Sequence, residues 1–170
     1  MEKVPGERVV PLKMRFMKVV KQATPPQPLP PLVAALGYGG LIPFVVAAIA
    51  HITQAYSERV DWLFGLVAYG AVILSFVGAL HWGFAMLSTT MPVARRTQAY
   101  VWSVIPALLG FLALVIASPL SCSLLILGFA LAYWQDADLA NRIDLPEWYP
   151  RLRAHLSIVA SLCLAAGVLV

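Results

Sequence analysis

Residues 62–87 read WLFGLVAYGAVILSFVGALHWGFAML, a run with no Asp, Glu, Lys or Arg and a single histidine, His81. At a rise of about 1.5 Å per residue this run is long enough to cross a hydrocarbon core of about 30 Å as a helix. Its apolar residues do not alternate at every second position, as barrel strands would. Helices are the other solution that satisfies every backbone group in lipid. Four further apolar runs follow the same pattern, at 32–52, 100–117, 120–134 and 154–170. The last two are near the lower limit for spanning, so their ends must use interfacial residues, a role that Tyr133 and Trp134 suit. The sequence therefore predicts an all-α fold: a polytopic membrane bundle of five transmembrane helices over 32–170, preceded by a basic arm over 1–31.

The composition agrees with that reading. Of 170 residues, 61% are hydrophobic and 12% charged, and the mean hydropathy is +0.81. A soluble domain carries about 25% charged residues because water must wet its surface. A soluble enzyme, a nucleic-acid binder and a disordered chain are excluded. The bilayer is the first partner, and other membrane proteins are the second to consider.

Charge fixes the expected orientation. Lys3, Arg8, Lys13, Arg15, Lys18 and Lys21 precede the first span, Arg95 and Arg96 lie between the second and third, and Arg142, Arg151 and Arg153 lie between the fourth and fifth. Only Arg59 lies in a connection on the other side, so eleven of the 12 basic residues share one side. The positive-inside rule then gives N-in, C-out. The net charge of +4 is a topology signal, with no call for nucleic acid. The arm lacks the apolar core and cleavage site of a secretory signal, and Glu2 and Glu7 depart from a mitochondrial presequence. A bacterial inner membrane is the expected location, with the mitochondrial inner membrane as the alternative. Leu12, Phe16, Val19 and Val20 beside Lys13, Lys18 and Lys21 fit either a surface-lying amphipathic helix or a tail that only sets topology. Residues 24–31, with Pro25, Pro26, Pro28, Pro30 and Pro31, read as an extended spacer.

Small residues recur at four-residue spacing: Ala71, Ser75, Ala79 and Gly83 in the second span, Ser157, Ser161 and Ala165 in the fifth. Such rows let helix backbones approach closely, within one chain or between two. Pro43 and Pro106 each remove a backbone donor inside a span and predict kinks. No repeat suggests a transporter built from two halves.

No catalytic motif appears: there is no Gly-x-Ser-x-Gly, phosphate loop or metal-hydrolase pattern. No Cys/His spacing resembles a metal site, and no cofactor is implied. Cys122 and Cys163 differ in depth by roughly 10 Å, beyond disulfide reach. His51 and His155 lie at span ends. His81 lies deeper, where a polar ring faces the bundle interior and finds a partner. It is either a proton-handling or ligand-binding residue, or a packing histidine hydrogen-bonded to a neighbouring helix. Its expected partners are Gln135 or Asp138 at the end of the fourth span, or the Ser157 hydroxyl. Trp82 and Trp134 would complete a pocket around it. Arg153 is placed to pair with Asp136 or Asp138, an exposed contact worth only about 0–1 kcal/mol.

The stretches Leu36-Gly37-Tyr38-Gly39-Gly40-Leu41-Ile42-Pro43 and Ser75-Phe76-Val77-Gly78-Ala79-Leu80-His81-Trp82-Gly83 stand out, with Tyr133-Trp134-Gln135, Asp138, Pro146, Trp148-Tyr149 and Leu152-Arg153 after them. In this order they resemble the family of domain of unknown function 3429 (DUF3429), over residues 32–170. The resemblance implies a five-helix inner-membrane protein, found in bacteria and in mitochondria, and supplies no activity. It draws attention to His81, Gln135 and Asp138. The five-helix tryptophan-rich sensory proteins, which bind porphyrins and sterols, agree in size and span number but not in motif. The leading expectation is a non-enzymatic accessory or assembly protein binding other membrane proteins. The alternative is a binder or transporter of a lipid, porphyrin or quinone-like molecule with a pocket near His81.

Overall fold

The computed structural model describes residues 28–53, 61–89, 91–116, 118–140 and 145–169. The basic arm, most of the proline spacer, and Arg59, Arg142 and Asp144 lie outside the described residues. Within them the chain is entirely helical: α1 (Pro31–Gly39), α2 (Ile42–Ile52), α3 (Trp62–Leu87), α4 (Val93–Ile116), α5 (Leu120–Ala140) and α6 (Trp148–Leu169). Together α1 and α2 make the first of five segments long and apolar enough to cross a membrane. The protein is a multi-pass membrane protein.

The first span is interrupted at Gly40 and Leu41. There, Tyr69 Oη on α3 donates to the Gly40 carbonyl at 2.8 Å. Pro43, expected to kink this span from within, falls instead in the first turn of α2. At that position its missing N–H is one a helix start leaves unpaired anyway. At the far end, Asp61 caps α3 by accepting from Phe64 N at 2.9 Å. This side-chain acceptor satisfies one of the orphan donors of the first turn.

Three helices run further toward the Arg-bearing end than their hydropathy predicts. Helix α4 starts at Val93 where 100 was expected, α5 continues to Ala140 where 134 was expected, and α6 starts at Trp148 where 154 was expected. Hydropathy counts apolar side chains, whereas the backbone hydrogen-bond ladder continues through polar residues that find partners inside the protein. Those extra turns carry Asp136, Tyr149 and Arg153.

Helix α3 is the hub, touching α2, α4, α5 and α6, and α4 most extensively. The α3–α4 approach is made possible by missing side chains. A Cβ on Gly110 would lie 2.9 Å from the Ala71 carbonyl oxygen, and one on Gly78 would lie 2.8 Å from that of Ser103. Pro106 sits inside α4 directly against Gly78. The small-residue row of α3 is thus divided: Ala71 is consumed by α4, Ser75 bonds back to the Ala71 carbonyl at 2.7 Å, Ala79 is exposed, and a Cβ on Gly83 would meet nothing within 4 Å. Phe44, Leu66, Leu74, Leu125, Phe129 and Leu164 fill the core between the spans.

Candidate functional site

Three spans bring polar side chains to one buried point near the Arg-bearing end. On α5 the buried stripe runs Leu125, Gly128, Phe129, Ala132, Asp136 and Leu139, in the three- and four-residue steps of one helix face. Asp136 is simply the next inward position after Ala132. On α6 the stripe runs Leu152, Arg153, Ser157, Ala160 and Leu164, and on α3 it includes Val77, Gly78, His81 and Ala85.

Asp136 is the centre of the cluster and is 0% exposed. Arg153 Nε donates to its Oδ2 at 2.6 Å, and Tyr149 Oη donates to its Oδ1 at 3.3 Å. His81 Nε2 lies 3.5 Å from the same Oδ1. The Arg153 bond is charge-assisted and short, and it balances the carboxylate where a lone charge would be costly. His81 is at ion-pair reach, and neither of its ring nitrogens completes a hydrogen bond. The Phe84 ring stands edge-on to both His81 and Tyr149, at centroid distances of 6.4 and 5.8 Å. The carboxylate thus ties α3, α5 and α6 together in a region that hydropathy would assign to loops and span ends.

Beside the cluster a cavity of about 130 Å³ opens between α1, α2, α3 and α6, with Phe129 of α5 at its inner wall. Phe44, Ile73, Val77 and Phe129 line its inner wall, and Leu36 and Phe76, both exposed, form its rim on the outer surface. The break at Gly40 and Leu41 is part of the wall. Irregular backbone at membrane depth is tolerated where it is buried in protein or lines a cavity. Two polar side chains line the same cavity, Arg153 and Ser157. Each is 7% exposed, and each keeps an atom with no hydrogen-bond partner, Nη2 of Arg153 and Oγ of Ser157. Buried polar atoms are nearly always paired, and these two are exceptions beside the cavity, as His51 Nε2 and Ser118 Oγ are at the other end.

Of the sequence candidates, His81 enters the cluster. The carboxylate that meets it is Asp136, where Gln135, Asp138 or Ser157 was expected. Taking the fourth span to end at Trp134 hid the continuation of the inward stripe through Ala132 to Asp136. Gln135 and Asp138 flank Asp136 and are half-buried. Trp82 and Trp134 are 49% and 64% exposed, on the outer surface, and neither lines the cavity; the Trp82 ring stands edge-on to Tyr100 at 5.0 Å. The Arg153 pairing resolves to Asp136, and it is buried, so the scale for exposed ion pairs does not apply to it. Tyr149, which the sequence offered only within the Trp148-Tyr149 motif, is a further partner of the carboxylate. His155 is exposed and meets the Tyr38 hydroxyl at 3.2 Å, and both cysteines are free thiols. Among the described residues no three His, Cys, Asp or Glu side chains group as a metal site.

Residues 29–169 match DUF3429, described as a protein of unknown function. The chain is 38% identical over 137 residues to Transmembrane protein 69 of Xenopus tropicalis, an alignment covering 79% of this chain and 52% of that protein. It is 30% identical over 124 residues to Transmembrane protein 69 of Mus musculus, covering 71% of this chain and 49% of that protein. The chain therefore spans about half the length of these relatives. No solved structure matches it significantly.

Proposed function

The chain belongs to the DUF3429 family of membrane proteins, and on that premise we propose that it is a non-catalytic binding protein for a small molecule that enters from the bilayer. The observation that carries this reading is the apolar cavity whose lining includes two buried polar residues, Arg153 and Ser157. Ligand sites are concave, mostly apolar and supplied with a few convergent polar groups. The rim at Leu36 and Phe76 gives a route from lipid that needs no opening of the bundle. The Asp136 cluster serves the site indirectly: by holding Arg153 Nε it fixes where the rest of the guanidinium lies.

The test is purification of the full chain in mild detergent followed by native mass spectrometry. A bound small molecule near one per chain is expected. Leu36→Trp, which narrows the exposed rim without touching the core, should lower its occupancy while leaving thermal stability unchanged. Recovery of only bulk lipid, in the proportions of the membrane extract and equally in Leu36→Trp, would sink the reading.

The accessory-protein reading is favoured by a different observation, the open surface at Ala79 and Gly83 on α3. A protein partner that co-purifies with the wild type and is lost from Gly83→Leu would support it. The proposed location is a bacterial inner membrane, or alternatively the mitochondrial one, oriented N-in and C-out. This rests on the eleven-to-one distribution of basic residues. A reporter fused after Pro92 that reads external would overturn that orientation.

A further inference from the structure

We infer that a groove between α1 and the start of α6 holds the headgroup of one bilayer phospholipid, chemically a phosphatidylethanolamine, with its phosphate on Arg151 and its ammonium on Glu147. The groove shares no lining residue with the cavity described above, so this site stands or falls apart from that one.

Three observations point there. The first is position in the membrane. Helices α1 and α6 both begin at the Arg-bearing end and approach each other at Gly37, where a Cβ would lie 3.4 Å from Leu156 Cδ1. Along this pair lies a groove of about 330 Å³ whose lining includes Tyr38, Glu147, Trp148, Arg151 and His155. Trp, Tyr and Arg mark the headgroup level of a span. From Trp148 to His155 a helix rises about 10 Å. The polar layer on each side of the hydrocarbon core is roughly 5–8 Å thick, so the groove runs through that layer and a short way beneath it.

The second observation is polarity on an outward surface. A polar ring within a span turns inward, as His81 does. His155 and Tyr38 do not: both are exposed, and the Tyr38 hydroxyl meets His155 Nδ1 at 3.2 Å. A bare hydrocarbon chain beside this pair would leave its remaining polar capacity unmatched. A headgroup with its glycerol ester oxygens supplies acceptors at that level.

The third observation is charge. Glu147 and Arg151 stand four positions apart across the start of α6, close enough to share a face. Both are exposed, so an occupant of the groove can reach them. Neither makes an ion pair with the other or with any further described residue. A guanidinium fork matches a phosphate, and a carboxylate accepts the N–H donors of a primary ammonium. A head with one charge of each sign therefore meets a matching pair. Phosphatidylglycerol would bring Glu147 only repulsion from its phosphate. Phosphatidylcholine brings the positive charge without an N–H to donate.

The test uses the full chain, freed of co-purified lipid in mild detergent and titrated with palmitoyl-oleoyl lipids that differ only in headgroup. Native mass spectrometry counts the adducts. One ethanolamine lipid per chain is expected, held about tenfold more tightly than the choline lipid, the worth of one hydrogen bond to a charged group. Glu147→Ala should bring the ethanolamine lipid down to the choline level. Arg151→Gln should weaken both and leave palmitoyl-oleoyl-glycerol, which lacks the phosphate, unchanged. Both substitutions fall on exposed side chains, so thermal stability should hold. Leu36→Trp, at the other cavity, should leave the adduct intact. Equal retention of the ethanolamine and choline lipids by the wild type would overturn the headgroup assignment, as would tighter binding of phosphatidylglycerol or no adduct at all. An ethanolamine preference that survives both Glu147→Ala and Arg151→Gln, or that disappears in Leu36→Trp, would put the lipid elsewhere and overturn the site.

Discussion

The two ends of this bundle are held by different physics. Away from the arginines, the spans interlock through apolar side chains entering spaces left by glycine. A Cβ on Gly70 would lie 2.9 Å from Leu125 Cδ1, and one on Gly167 would lie 2.7 Å from Cys122 Sγ. Leu66, Leu125 and Leu164 are each 0% exposed there. At the Arg-bearing end the spans converge on a single carboxylate, with Arg153, Tyr149 and His81 around it. Unpartnered buried polar atoms occur at both ends, Arg153 Nη2 and Ser157 Oγ here and His51 Nε2 and Ser118 Oγ there. Filled packing maximises dispersion contacts, and the space left at the packed end, beside Asp61 and Ser118, is about 60 Å³ against about 130 Å³ beside the ion pair. A polar cluster holds helices at fixed points and tolerates a gap beside it. The difference explains why the cavity adjoins the ion pair, and why the candidate site belongs to this end.

The largest test of that contrast is Asp136→Leu. It leaves the Arg153 guanidinium buried without its carboxylate, and breaking one side of a buried pair costs about 3–5 kcal/mol. Unfolding in detergent should show a loss of that size, and the double substitution Asp136→Leu, Arg153→Leu should regain much of it. A single variant as stable as the wild type would mean that the polar end is not held by the pair.

A smaller effect is expected from Gly110→Ala at the α3–α4 contact. The new Cβ would meet the Ala71 carbonyl oxygen at 2.9 Å and the Ala71 Cα at 3.2 Å, and backbone cannot turn aside as a side chain can. Overpacking of this kind costs about 1–3 kcal/mol. Thermal stability should fall with ligand occupancy per folded chain unchanged, because Gly110 is not among the residues that line the cavity. An equal loss of occupancy would blur the division between packed and polar regions.

Tyr149→Phe is the mildest test. It deletes one hydrogen bond to Asp136 and keeps the ring that stands against Phe84. A single intramolecular hydrogen bond is worth about 0.5–1.5 kcal/mol. A midpoint shift in that range would mark Tyr149 as a supporting ligand. A loss as large as that of Asp136→Leu would make it a co-equal member of the cluster.

Much of the fold was legible because lipid leaves few choices. The apolar runs located five spans, and the bounds expected for the second span coincide with the observed Trp62–Leu87. His81 could be singled out because a lone polar residue inside such a run must turn inward. Its partner was harder to read. Asp136 and Asp138 stand two positions apart, and only the phase of α5 decides which faces the bundle. That phase is written in the preceding stripe of Leu125, Gly128, Phe129 and Ala132, but it applies to Asp136 only if the helix continues past Trp134. Trp134 points outward by the same phase, two positions from both Ala132 and Asp136, and Trp82 by the phase of α3, one position from His81.

By itself, then, the sequence determined the number of spans, their approximate limits and the inward turn of His81, because hydrophobic length and the cost of a polar group in lipid act locally along the chain. Tertiary structure alone decided that Asp136, Tyr149 and Arg153 complete the cluster, that Ser157 and Arg153 face a cavity, and that the break at Gly40 forms part of its wall. Those outcomes depend on how helices far apart in sequence rotate against one another. That rotation is set by close contacts such as Ala71 against Gly110, and no single run of residues contains it.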